Sequence, residues 1–360
     1  MEQITNSWGH HYIRYEDYKK LISSYNLQPF KYQLPTRPLF NRRDCILASK
    51  NFDKIMNCLM NNKSFAIITG FGCSGPMHFG SKLIIDQIRY YQTMGCYIFV
   101  SLANIEGYTV RKNSLNNVKK NVAEYLTHLK TLGLQTEKCD IYPQSNNAKV
   151  LSLGLFLSKY FDLKDFEKHY GRPLSISEII SSLIMMGDLY YPYSSMGYND
   201  ILVVMGLDEI KHIVFATEIS VLIETLRLPQ ISATFSLPIR GLENKQMGKS
   251  QPEVSVTLLE PSDRAEKKIL EYKTEEGCPK DCLCFQLLAW HLLEDDEEVT
   301  EIETECANLK RDCEECKRNV IEFLLNFLEK YRKEYEKNKE AVFNSLEGKI
   351  WRQKNKYMLR

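Results

Sequence analysis

Residues 64–81 read SFAIITGFGCSGPMHFGS, an apolar run that ends in a glycine-rich turn and continues into the start of a helix. A short apolar run bounded by glycines is typical of a buried strand. Small residues in the turn let a ligand approach the backbone, and a helix beginning near Pro76 would point free N–H groups at an anion. His78, in the first turn of that helix, can donate to a phosphate oxygen. The segment therefore predicts a strand, loop and helix around a phosphate group, although a tight turn without a ligand remains an alternative.

Further apolar strands and helical segments alternate after this stretch. Strands are predicted at residues 97–103, 138–143 and 201–205, and helices at residues 82–94, 118–132, 151–161 and 177–186. This alternation predicts an α/β fold, a Rossmann-like parallel sheet with right-handed crossovers. Ligands of such sheets bind outside the carboxyl ends of the strands, where residues 70–75, 104–106 and 206–209 fall.

Charge, apolar content and cysteine usage narrow the class of the protein. The 360 residues can form two or three domains, and a net charge of +1 argues neither for nor against nucleic-acid binding. No apolar stretch reaches membrane-spanning length, and residues 1–11 lack the apolar core of a signal peptide. Eleven cysteines without a secretion signal favour a reducing compartment. We therefore expect a cytoplasmic protein whose cysteines are free thiols or metal ligands.

The character of the sequence divides the chain into three predicted regions. Residues 1–60 form an N-terminal extension with one amphipathic helix, residues 61–255 form the α/β domain, and residues 256–360 form a charged, helical domain. In the last region a stripe of apolar residues at helical spacing indicates a helix that packs on one face: Val320, Phe323, Leu324, Phe327, Leu328 and Tyr331.

Two other phosphate-binding motifs resemble parts of the chain but fit it poorly. Residues 70–75 match G-x-G-x-x-G, yet a dinucleotide-binding fold needs an acidic residue about 20 residues further on, and the sequence around Gly95 has none. Residues 248–250 resemble the end of a P-loop, but its first glycine would have to be Glu243, which excludes that motif. A dinucleotide-dependent oxidoreductase remains an alternative, and the missing carboxylate counts against it.

A second candidate phosphate-binding segment lies much later in the chain. Residues 245–252 read KQMGKSQP, a loop in which Lys249 could face a phosphate group. If this loop folds over the loop that carries His78, the two segments can hold the phosphates of one nucleotide from two sides. That arrangement suits nucleotidyl transfer.

The two segments match a known family. Residues 74–81 resemble the HIGH signature of class I aminoacyl-tRNA synthetases, and residues 246–250 resemble their KMSKS loop. The wider pattern is similar to the tryptophanyl-tRNA synthetases of the archaeal and eukaryotic type; it comprises Trp8, Gly9 and residues 28–30, 77–92, 235–269 and 281–331. The resemblance covers most of the chain.

The resemblance implies a ligase reaction. Enzymes of this family activate the amino acid with ATP and Mg²⁺ to an aminoacyl-adenylate, release pyrophosphate, and transfer the acyl group to the 3′ end of a tRNA, here tRNA(Trp). On this basis residues 61–255 would be the catalytic domain with the ATP-binding loops, and residues 256–360 a tRNA (anticodon)-binding domain. The family also implies a homodimer.

The resemblance further implies a role for each matching residue. His78 and Lys249 would be the catalytic groups. The implied ATP-binding residues are Gly70, Ser74, Gly75, His78, Gly80, Ser81, Gly206, Asp208, Met247, Lys249 and Ser250. The implied amino-acid-binding residues are Ser101, Glu106, Met185, Asp188 and Glu209, with Val100 beside Ser101 in the expected side-chain pocket.

The chain departs from the family pattern at several of these positions. The second histidine of HIGH is Ser81, and the first lysine of KMSKS is Gln246. Two glutamines that normally grip the substrate amino and carboxylate groups are Met185 and Glu209. Met185 cannot hydrogen-bond usefully, whereas Glu209 can pair with an ammonium group. A noncatalytic paralogue that binds tRNA or protein, and a tyrosine-specific synthetase, therefore remain alternatives.

A cluster of cysteines near the C-terminus is the second sequence feature that points to a specific kind of site. Cys282, Cys306, Cys313 and Cys316 could ligate a [4Fe–4S] cluster or a structural Zn²⁺ through four thiolates, with Cys278 or Cys284 as a substitute for Cys282. Free buried cysteines are the alternative. Some tryptophanyl-tRNA synthetases carry a [4Fe–4S] cluster on nearly this spacing, so the resemblance favours iron and sulfur over zinc.

Overall fold

A computed structural model of the chain describes residues 14–222, 227–243, 245–274 and 276–349. Trp8 and Gly9, which contribute to the family resemblance, lie outside the described residues. Within these ranges, no helix combines the length and the apolar character needed to cross a membrane.

A seven-stranded sheet forms the centre of the described structure. Its strands are β1 (Gln28–Pro29), β2 (Ile46–Lys50), β3 (Ala66–Gly72), β4 (Tyr97–Ala103), β5 (Cys139–Pro143), β6 (Ile201–Gly206) and β7 (Ser232–Ser236). They lie in the order β1-β2-β7-β6-β3-β4-β5, and β7, β6, β3, β4 and β5 run parallel to one another. The predicted parallel α/β sheet is therefore confirmed. Strands β6, β3 and β4 are neighbours, so the segments that follow them meet at one edge.

One edge of the sheet was not predicted from the sequence. β1 pairs antiparallel with β2, and β2 pairs antiparallel with β7. β2 reads ILASK and β7 reads SATFS, so neither shows the continuous apolar run by which buried strands were recognised, although all five residues of β7 are buried. Part of the predicted N-terminal extension is thus a strand of the central sheet. The division of the chain into three domains stays a prediction.

Helices cover both faces of the sheet and make up the C-terminal region. They are α1 (Tyr15–Ser24), α2 (Leu39–Arg42), α3 (Phe52–Met60), α4 (Phe79–Thr93), α5 (Asn104–Thr109), α6 (Leu115–Thr131), α7 (Ala148–Leu157), α8 (Leu163–Tyr170), α9 (Ile176–Met196), α10 (Ile210–Leu222), α11 (Ser262–Glu271), α12 (Leu283–Leu287), α13 (Asp296–Ala307) and α14 (Cys313–Lys349). Short 3₁₀ turns precede or follow several of them, and a π-helical turn (Leu288–Leu292) continues α12.

α9 is longer than the sequence pattern indicated, because its ends are defined by capping and not by apolar spacing. It begins with a capping box in which the Ser175 side chain accepts from the Glu178 backbone and the Glu178 carboxylate accepts from the Ser175 backbone. It ends at Gly197, whose left-handed conformation (φ 75°) is favourable for glycine. The prediction ended this helix at residue 186, which places Asp188 beyond it. In the structure Asp188 lies on the helix, facing inward.

The apolar stripe of the C-terminal region packs α14 against the α/β domain. Val320, Leu324 and Leu328 are fully buried, while Phe323 is 38% exposed and does not belong to the buried face. The Phe327 ring packs against Phe79 at the start of α4, with ring centroids 5.4 Å apart. α14 also contacts α6. The C-terminal region is therefore packed directly against helices that follow the glycine-rich loop.

Candidate active site

Two adjoining cavities occupy the edge of the sheet where β6, β3 and β4 end. The first, which we call the loop cavity, lies between the glycine-rich loop (residues 70–75) and the segment 245–252, which we call the lysine loop. The predicted site residues that line it are Gly70, Ser74, His78, Gly80, Ser81, Gly206, Asp208, Met247, Lys249 and Ser250. The second, which we call the aspartate pocket, is lined by Ser101, Met185 and Asp188. Glu106, Glu209 and Gly70 line both cavities. The structure thus brings together residues that are up to about 180 positions apart in the chain.

The two loops touch at Gly75. A Cβ atom at Gly75 would overlap the carbonyl oxygen of Lys249 and lie 2.9 Å from its carbonyl carbon. Gly75 does not line either cavity, but its lack of a side chain lets the glycine-rich loop pack directly on the lysine loop. The backbone contact therefore fixes how closely the two walls of the loop cavity approach.

His78 is held at the N-terminus of α4. It is the N-cap residue, and its Nδ1 accepts a hydrogen bond from the Gly80 backbone N–H at 3.1 Å. In the neutral ring the proton then lies on Nε2, which makes that atom a donor. A Cβ atom at Gly80 would lie 2.9 Å from the His78 Cε1, so Gly80 leaves room for the ring. His78 is 7% exposed and lines the loop cavity.

Side chains from the segment that carries α6 hold the glycine-rich loop from behind. The Tyr125 hydroxyl donates to the carbonyl of Gly72 at 3.0 Å and also to that of Gly75. Asn121 donates to the carbonyl of Cys73 at 3.0 Å, and Asn113 donates to the carbonyl of Ser74 at 3.2 Å. Three side-chain donors thus face four consecutive carbonyls, and the single Tyr125 proton is shared between those of Gly72 and Gly75. This arrangement suits a loop that offers N–H groups to an anion.

Two backbone N–H groups of the lysine loop are hydrogen-bonded to residues outside the loop. The Met247 N–H donates to the carbonyl of Ile239 at 2.8 Å, and the Gly248 N–H donates to the Ser255 hydroxyl at 3.0 Å. The Lys249 ammonium lies 5.7 Å from the centre of the Phe71 ring. A cation held over the strand that leads into the glycine-rich loop is positioned to meet a ligand bound there.

Asp188 anchors a hydrogen-bond network in the aspartate pocket. Its carboxylate accepts from the Ser101 hydroxyl at 2.9 Å, the Gln144 amide at 2.7 Å and the Tyr142 hydroxyl at 3.0 Å. Burial raises the pKa of Asp188 to about 7, although the three hydrogen bonds act in the opposite direction. An ionised carboxylate has about four acceptor positions, so one remains for a ligand donor.

Carboxylates and one arginine surround the passage between the two cavities. Glu106 accepts from the Arg111 Nε at 3.1 Å. Burial, with the negative charges of Asp208 and Glu106, raises the pKa of Glu209 to about 8, while Lys249 acts in the opposite direction. The Glu209 side chain nevertheless keeps 37% of its surface exposed to the cavity. It can therefore reach a ligand.

His212 lies next to Glu209 but does not form an ion pair with it. The His212 Nε2 is 3.8 Å from a Glu209 oxygen, and its Nδ1 is 2.5 Å from the Tyr170 hydroxyl. Burial lowers the pKa of His212 to about 3, so the ring is neutral at physiological pH. His212 serves as a packed neighbour of the pocket, as does Ser182, whose hydroxyl lies 3.1 Å from the same tyrosine.

Several residues that line or support the site were not predicted from the sequence. Gln144 directly follows β5, and its place at a strand end was a usable signal. Arg111 and His212 sit within helical or loop segments and carry no local motif, and Tyr125 acts from inside α6. Only the folded chain reveals these three. The roles of the predicted residues in binding ATP and an amino acid stay predictions.

The described residues give no support to the predicted metal site of the cysteine cluster, which stays a prediction. Burial raises the pKa of Cys306 and of Cys316, and the charge of Cys282 raises both further, whereas a hydrogen bond from Arg311 lowers the pKa of Cys316. Cys282 is therefore near both of these thiols. However, the described residues contain no group of three or more His, Cys, Asp or Glu side chains arranged to hold a metal ion. Binding of a [4Fe–4S] cluster or Zn²⁺ by Cys282, Cys306, Cys313 and Cys316 is therefore not supported by the side-chain positions and stays a prediction.

Comparison with known proteins identifies the family. The sequence model of "tRNA synthetases class I (W and Y)" matches residues 60–330. The chain therefore belongs to the class I tRNA synthetase family that comprises the tryptophan and tyrosine enzymes, and the resemblance of its two signature loops is confirmed.

The curated relatives within this family are tryptophan–tRNA ligases. That of Methanocaldococcus jannaschii is 30% identical, with 92% of this chain and 96% of the relative aligned. That of Hyperthermus butylicus is also 30% identical, over 92% of this chain and 95% of the relative. The crystal structure of tryptophanyl-tRNA synthetase from Aeropyrum pernix superposes with a TM-score of 0.83 at 27% identity, covering 92% of this chain and 96% of that chain.

Proposed function

We propose that the protein is a tryptophan–tRNA ligase, which forms tryptophanyl-adenylate from tryptophan and ATP and transfers the tryptophanyl group to tRNA(Trp). The observation that carries this proposal is a single cleft in which the loop of His78 and the loop of Lys249 face each other beside the buried carboxylate of Asp188. The identity to curated tryptophan–tRNA ligases over most of the chain supports the choice of tryptophan.

In the first step the tryptophan carboxylate attacks the α-phosphorus of ATP, and the bond from that phosphorus to the β-bridging oxygen breaks to release pyrophosphate. The N-terminus of α4 and His78 are placed to bind phosphate oxygens from one side of the loop cavity. Lys249 is placed to bind the departing pyrophosphate from the other side. The role of the protein is thus to hold the triphosphate and to stabilise the charge that develops on the leaving group.

Mg²⁺ is expected to enter with the nucleotide. This ion is usually bound through substrate phosphates and one or two carboxylates, not through a cage of protein ligands. The loop cavity supplies Asp208 as such a carboxylate. Glu106 also lines this cavity, so carboxylate oxygens of the kind that Mg²⁺ prefers are present beside the expected place of the phosphates.

The aspartate pocket is placed to bind the amino-acid side chain. Ile68, Leu189 and Met185 give it apolar walls, and Asp188 retains one acceptor position among its three donors. The indole N–H of tryptophan is a donor with no acceptor function, so it complements a buried carboxylate. Tyrosine also carries a donor, and a tyrosine-specific enzyme is therefore the alternative that the substrate test below must address.

Glu209 is placed to accept the substrate ammonium group, and its raised pKa makes this pairing pH-dependent. A carboxyl with a pKa near 8 loses its charge as the pH falls through that value, so the KM for tryptophan should rise as the pH is lowered from about 8.5 to about 6.5. Glu209→Gln restores the residue of the family pattern and removes this titration. We expect a several-fold weaker pH dependence in the variant, with the remainder due to Asp188.

The measurement is the KM for tryptophan in pyrophosphate exchange at each pH, for wild type and Glu209→Gln side by side. If the KM for tryptophan depends on pH in the same way in the two proteins, Glu209 does not bind the ammonium group.

The transfer step needs access for the tRNA 3′ end, whose terminal ribose hydroxyl attacks the adenylate carbonyl and releases AMP. We propose that residues 61–255 form the catalytic domain and residues 256–360 the domain that meets the anticodon. The support for this division is the change from the sheet to the helices α11–α14, together with the family resemblance. The same resemblance leads us to propose that the enzyme is cytoplasmic.

We propose that the enzyme is a homodimer, and an exposed apolar patch supports this. Leu155 and Phe156, at the end of α7, are 69% and 74% exposed. Ile176 and Ile180, at the start of α9, are 77% and 45% exposed. α7 and α9 pack against each other, and Gly154 lies against Leu183, so the four side chains are on neighbouring turns. A patch of this kind is characteristic of a protein interface.

Phe156→Glu should convert the dimer into monomers, because the substitution places a charge in the apolar interface. The mass in solution, measured by light scattering on a sizing column, reports the change. Met60→Glu replaces a residue that is 72% exposed at the end of α3, and it should leave the mass unchanged. A monomeric wild type would contradict the proposed dimer.

A metal on the C-terminal cysteines remains a separate proposal, supported only by the proximity of the thiols and by the family resemblance. Iron, zinc and acid-labile sulfide are measured on protein purified without oxygen. Four iron atoms and four sulfides per chain would indicate a [4Fe–4S] cluster, and one zinc atom without sulfide would indicate a structural Zn²⁺. Protein that contains no metal would agree with the side-chain arrangement described above.

The experiment that tests the proposed function is ATP–pyrophosphate exchange with each of the twenty amino acids, followed by charging of tRNA(Trp). We expect exchange with tryptophan and charging of that tRNA. Exchange with tyrosine alone would indicate the tyrosine enzyme. The absence of exchange with any amino acid would indicate a noncatalytic paralogue, for which Met185 in the amino-acid pocket would be one reason.

A further inference from the structure

A buried ion pair lies behind the lysine loop, outside both cavities. Lys268 on α11 is 6% exposed, Glu260 is 3% exposed, and the Lys268 Nζ lies 2.9 Å from a Glu260 carboxylate oxygen. Both residues lie within residues 235–269 of the wider family resemblance, but outside the two signature loops. Residues 252–260, which we call the connecting turn, join the lysine loop to α11; Glu260 is the last residue of this turn, and Lys268 contacts it from α11.

Lys268 holds the connecting turn by its backbone. Its ammonium group donates to the carbonyls of Pro252 at 2.8 Å and Ser255 at 2.6 Å, in addition to its bond with Glu260. All three donors of the ammonium group are used. Glu260 has a second counter-charge in Arg264, whose Nε lies 3.3 Å from the other carboxylate oxygen, but the Arg264 side chain is 60% exposed. Removal of Lys268 would therefore leave the buried carboxylate with only this exposed partner and two carbonyls without this donor.

One end of the connecting turn is attached to the loop of His78. The Glu260 carboxylate accepts from the Thr257 backbone N–H at 3.1 Å and from its hydroxyl at 2.9 Å. Thr257 forms an antiparallel bridge with His78, and the Leu258 N–H donates to the carbonyl of Met77 at 2.9 Å. The ion pair thus reaches the backbone of His78 through a single residue.

The other end of the connecting turn is attached to the lysine loop. The Ser255 hydroxyl accepts from the Gly248 N–H at 3.0 Å and lies 2.9 Å from the carbonyl of Gln251. Gly248 directly precedes Lys249. Ser255 itself is fully buried, and its carbonyl is one of the acceptors of Lys268. The same ion pair therefore reaches the backbone next to Lys249 through one residue.

We propose that Lys268 and Glu260 are positioning residues that hold the His78 loop and the Lys249 loop in register for the transfer of the adenylyl group. This inference rests on the proposed function, because the register matters only if both loops bind one triphosphate. Neither residue touches the substrates. The ion pair acts through the connecting turn, and it sets the separation of the two groups that must contact the phosphates together.

The test compares Lys268→Met with Lys317→Met. Lys317 is a matched control: it is 7% exposed, donates to the Leu270 carbonyl at 3.1 Å and pairs with Glu314 at 2.9 Å, away from the connecting turn. Lys268→Met should lower the kcat of tryptophan-dependent exchange by about tenfold to a hundredfold, since small displacements of reacting groups have effects of this size. The KM for tryptophan should stay within about twofold. Lys317→Met should retain the wild-type kcat.

A second readout does not depend on activity. Amide hydrogen exchange at residues 246–250 and 76–80 should accelerate by about tenfold or more in Lys268→Met and not in Lys317→Met, because the braces of both loops are lost. If the rate of amide hydrogen exchange at these residues is the same in Lys268→Met as in the wild type, the inference is overturned, whether or not the wild type is active. A wild type without pyrophosphate exchange would instead overturn the proposed function, and only the structural part of the inference, that the ion pair holds the two loops together, would then stand on the amide-exchange result.

Ser255→Ala provides a milder variant that keeps the ion pair. It removes only the hydroxyl that accepts from Gly248, so it should accelerate amide exchange at residues 246–250 and leave residues 76–80 protected. The losses in kcat from Lys249→Ala and Lys268→Met should combine less than additively in the double variant, because part of the effect of Lys268 passes through the lysine loop. Fully additive losses would show that Lys268 acts elsewhere and would overturn the inference.

Discussion

Lys249→Ala is expected to lower the rate of tryptophan-dependent ATP–pyrophosphate exchange by about 10²–10³-fold, the range found when one charge-stabilising donor is removed from an active site. Lys249 lines the loop cavity and lies opposite His78, where the pyrophosphate would leave. Its interaction strengthens as negative charge develops on the leaving group. The loss should therefore appear in kcat, while the dissociation constant of tryptophan, which binds in the aspartate pocket, stays near the wild-type value.

Lys245→Ala is the control for this change. Lys245 lies in the same loop and is also cationic, but it pairs with Glu243 at 3.1 Å and does not line the cavity. Its removal should have a much smaller effect on exchange. If Lys249→Ala weakens tryptophan binding as much as it slows exchange, the loop does not serve the transition state. If Lys245→Ala slows pyrophosphate exchange more than Lys249→Ala does, Lys245 and not Lys249 stabilises the leaving group.

Gly75→Ala is expected to reduce exchange by about a hundredfold or more, because displacements of about 1 Å at reacting groups have such effects. The added methyl group would overlap the backbone carbonyl of Lys249, which cannot move aside as a flexible side chain can. The two loops would have to separate, and their contact with a shared triphosphate would be lost. Affinity for a non-hydrolysable ATP analogue should fall together with kcat, while tryptophan binding is retained.

Gly70→Ala separates this effect from a general intolerance of the strand and loop to substitution. A Cβ atom at Gly70 would meet no atom nearer than 3.7 Å, which is an ordinary contact. Its effect on exchange should therefore be clearly smaller than that of Gly75→Ala. Wild-type exchange in Gly75→Ala would show that the two loops do not touch in the working enzyme.

The parallel part of the fold could be predicted because its signals are local. Apolar runs mark β3, β4 and β6, and glycines and helical segments follow them in order. β2 and β7 could not be found in this way, because their short, partly polar sequences are buried only through pairing with distant strands. The true length of α9 depended on the capping box at Ser175, which an apolar pattern does not register.

The sequence predicted those residues of the candidate site that belong to the glycine-rich loop and the lysine loop. That these two loops line one cavity was an expectation from the sequence, and the structure places both of them in the lining of the loop cavity. The network around Asp188 and the residues that brace the loops from α6 are tertiary contacts between side chains with no common motif. The cysteine spacing pointed to a metal site, but spacing alone does not set the mutual orientation of thiols on different helices.

The most direct test of the account is a crystal structure with a non-hydrolysable analogue of tryptophanyl-adenylate. The account predicts that the analogue spans both cavities, with its phosphate-like group between the loops of His78 and Lys249 and its indole N–H directed at Asp188. An analogue bound away from these loops, or with the indole outside the pocket of Asp188, would contradict it.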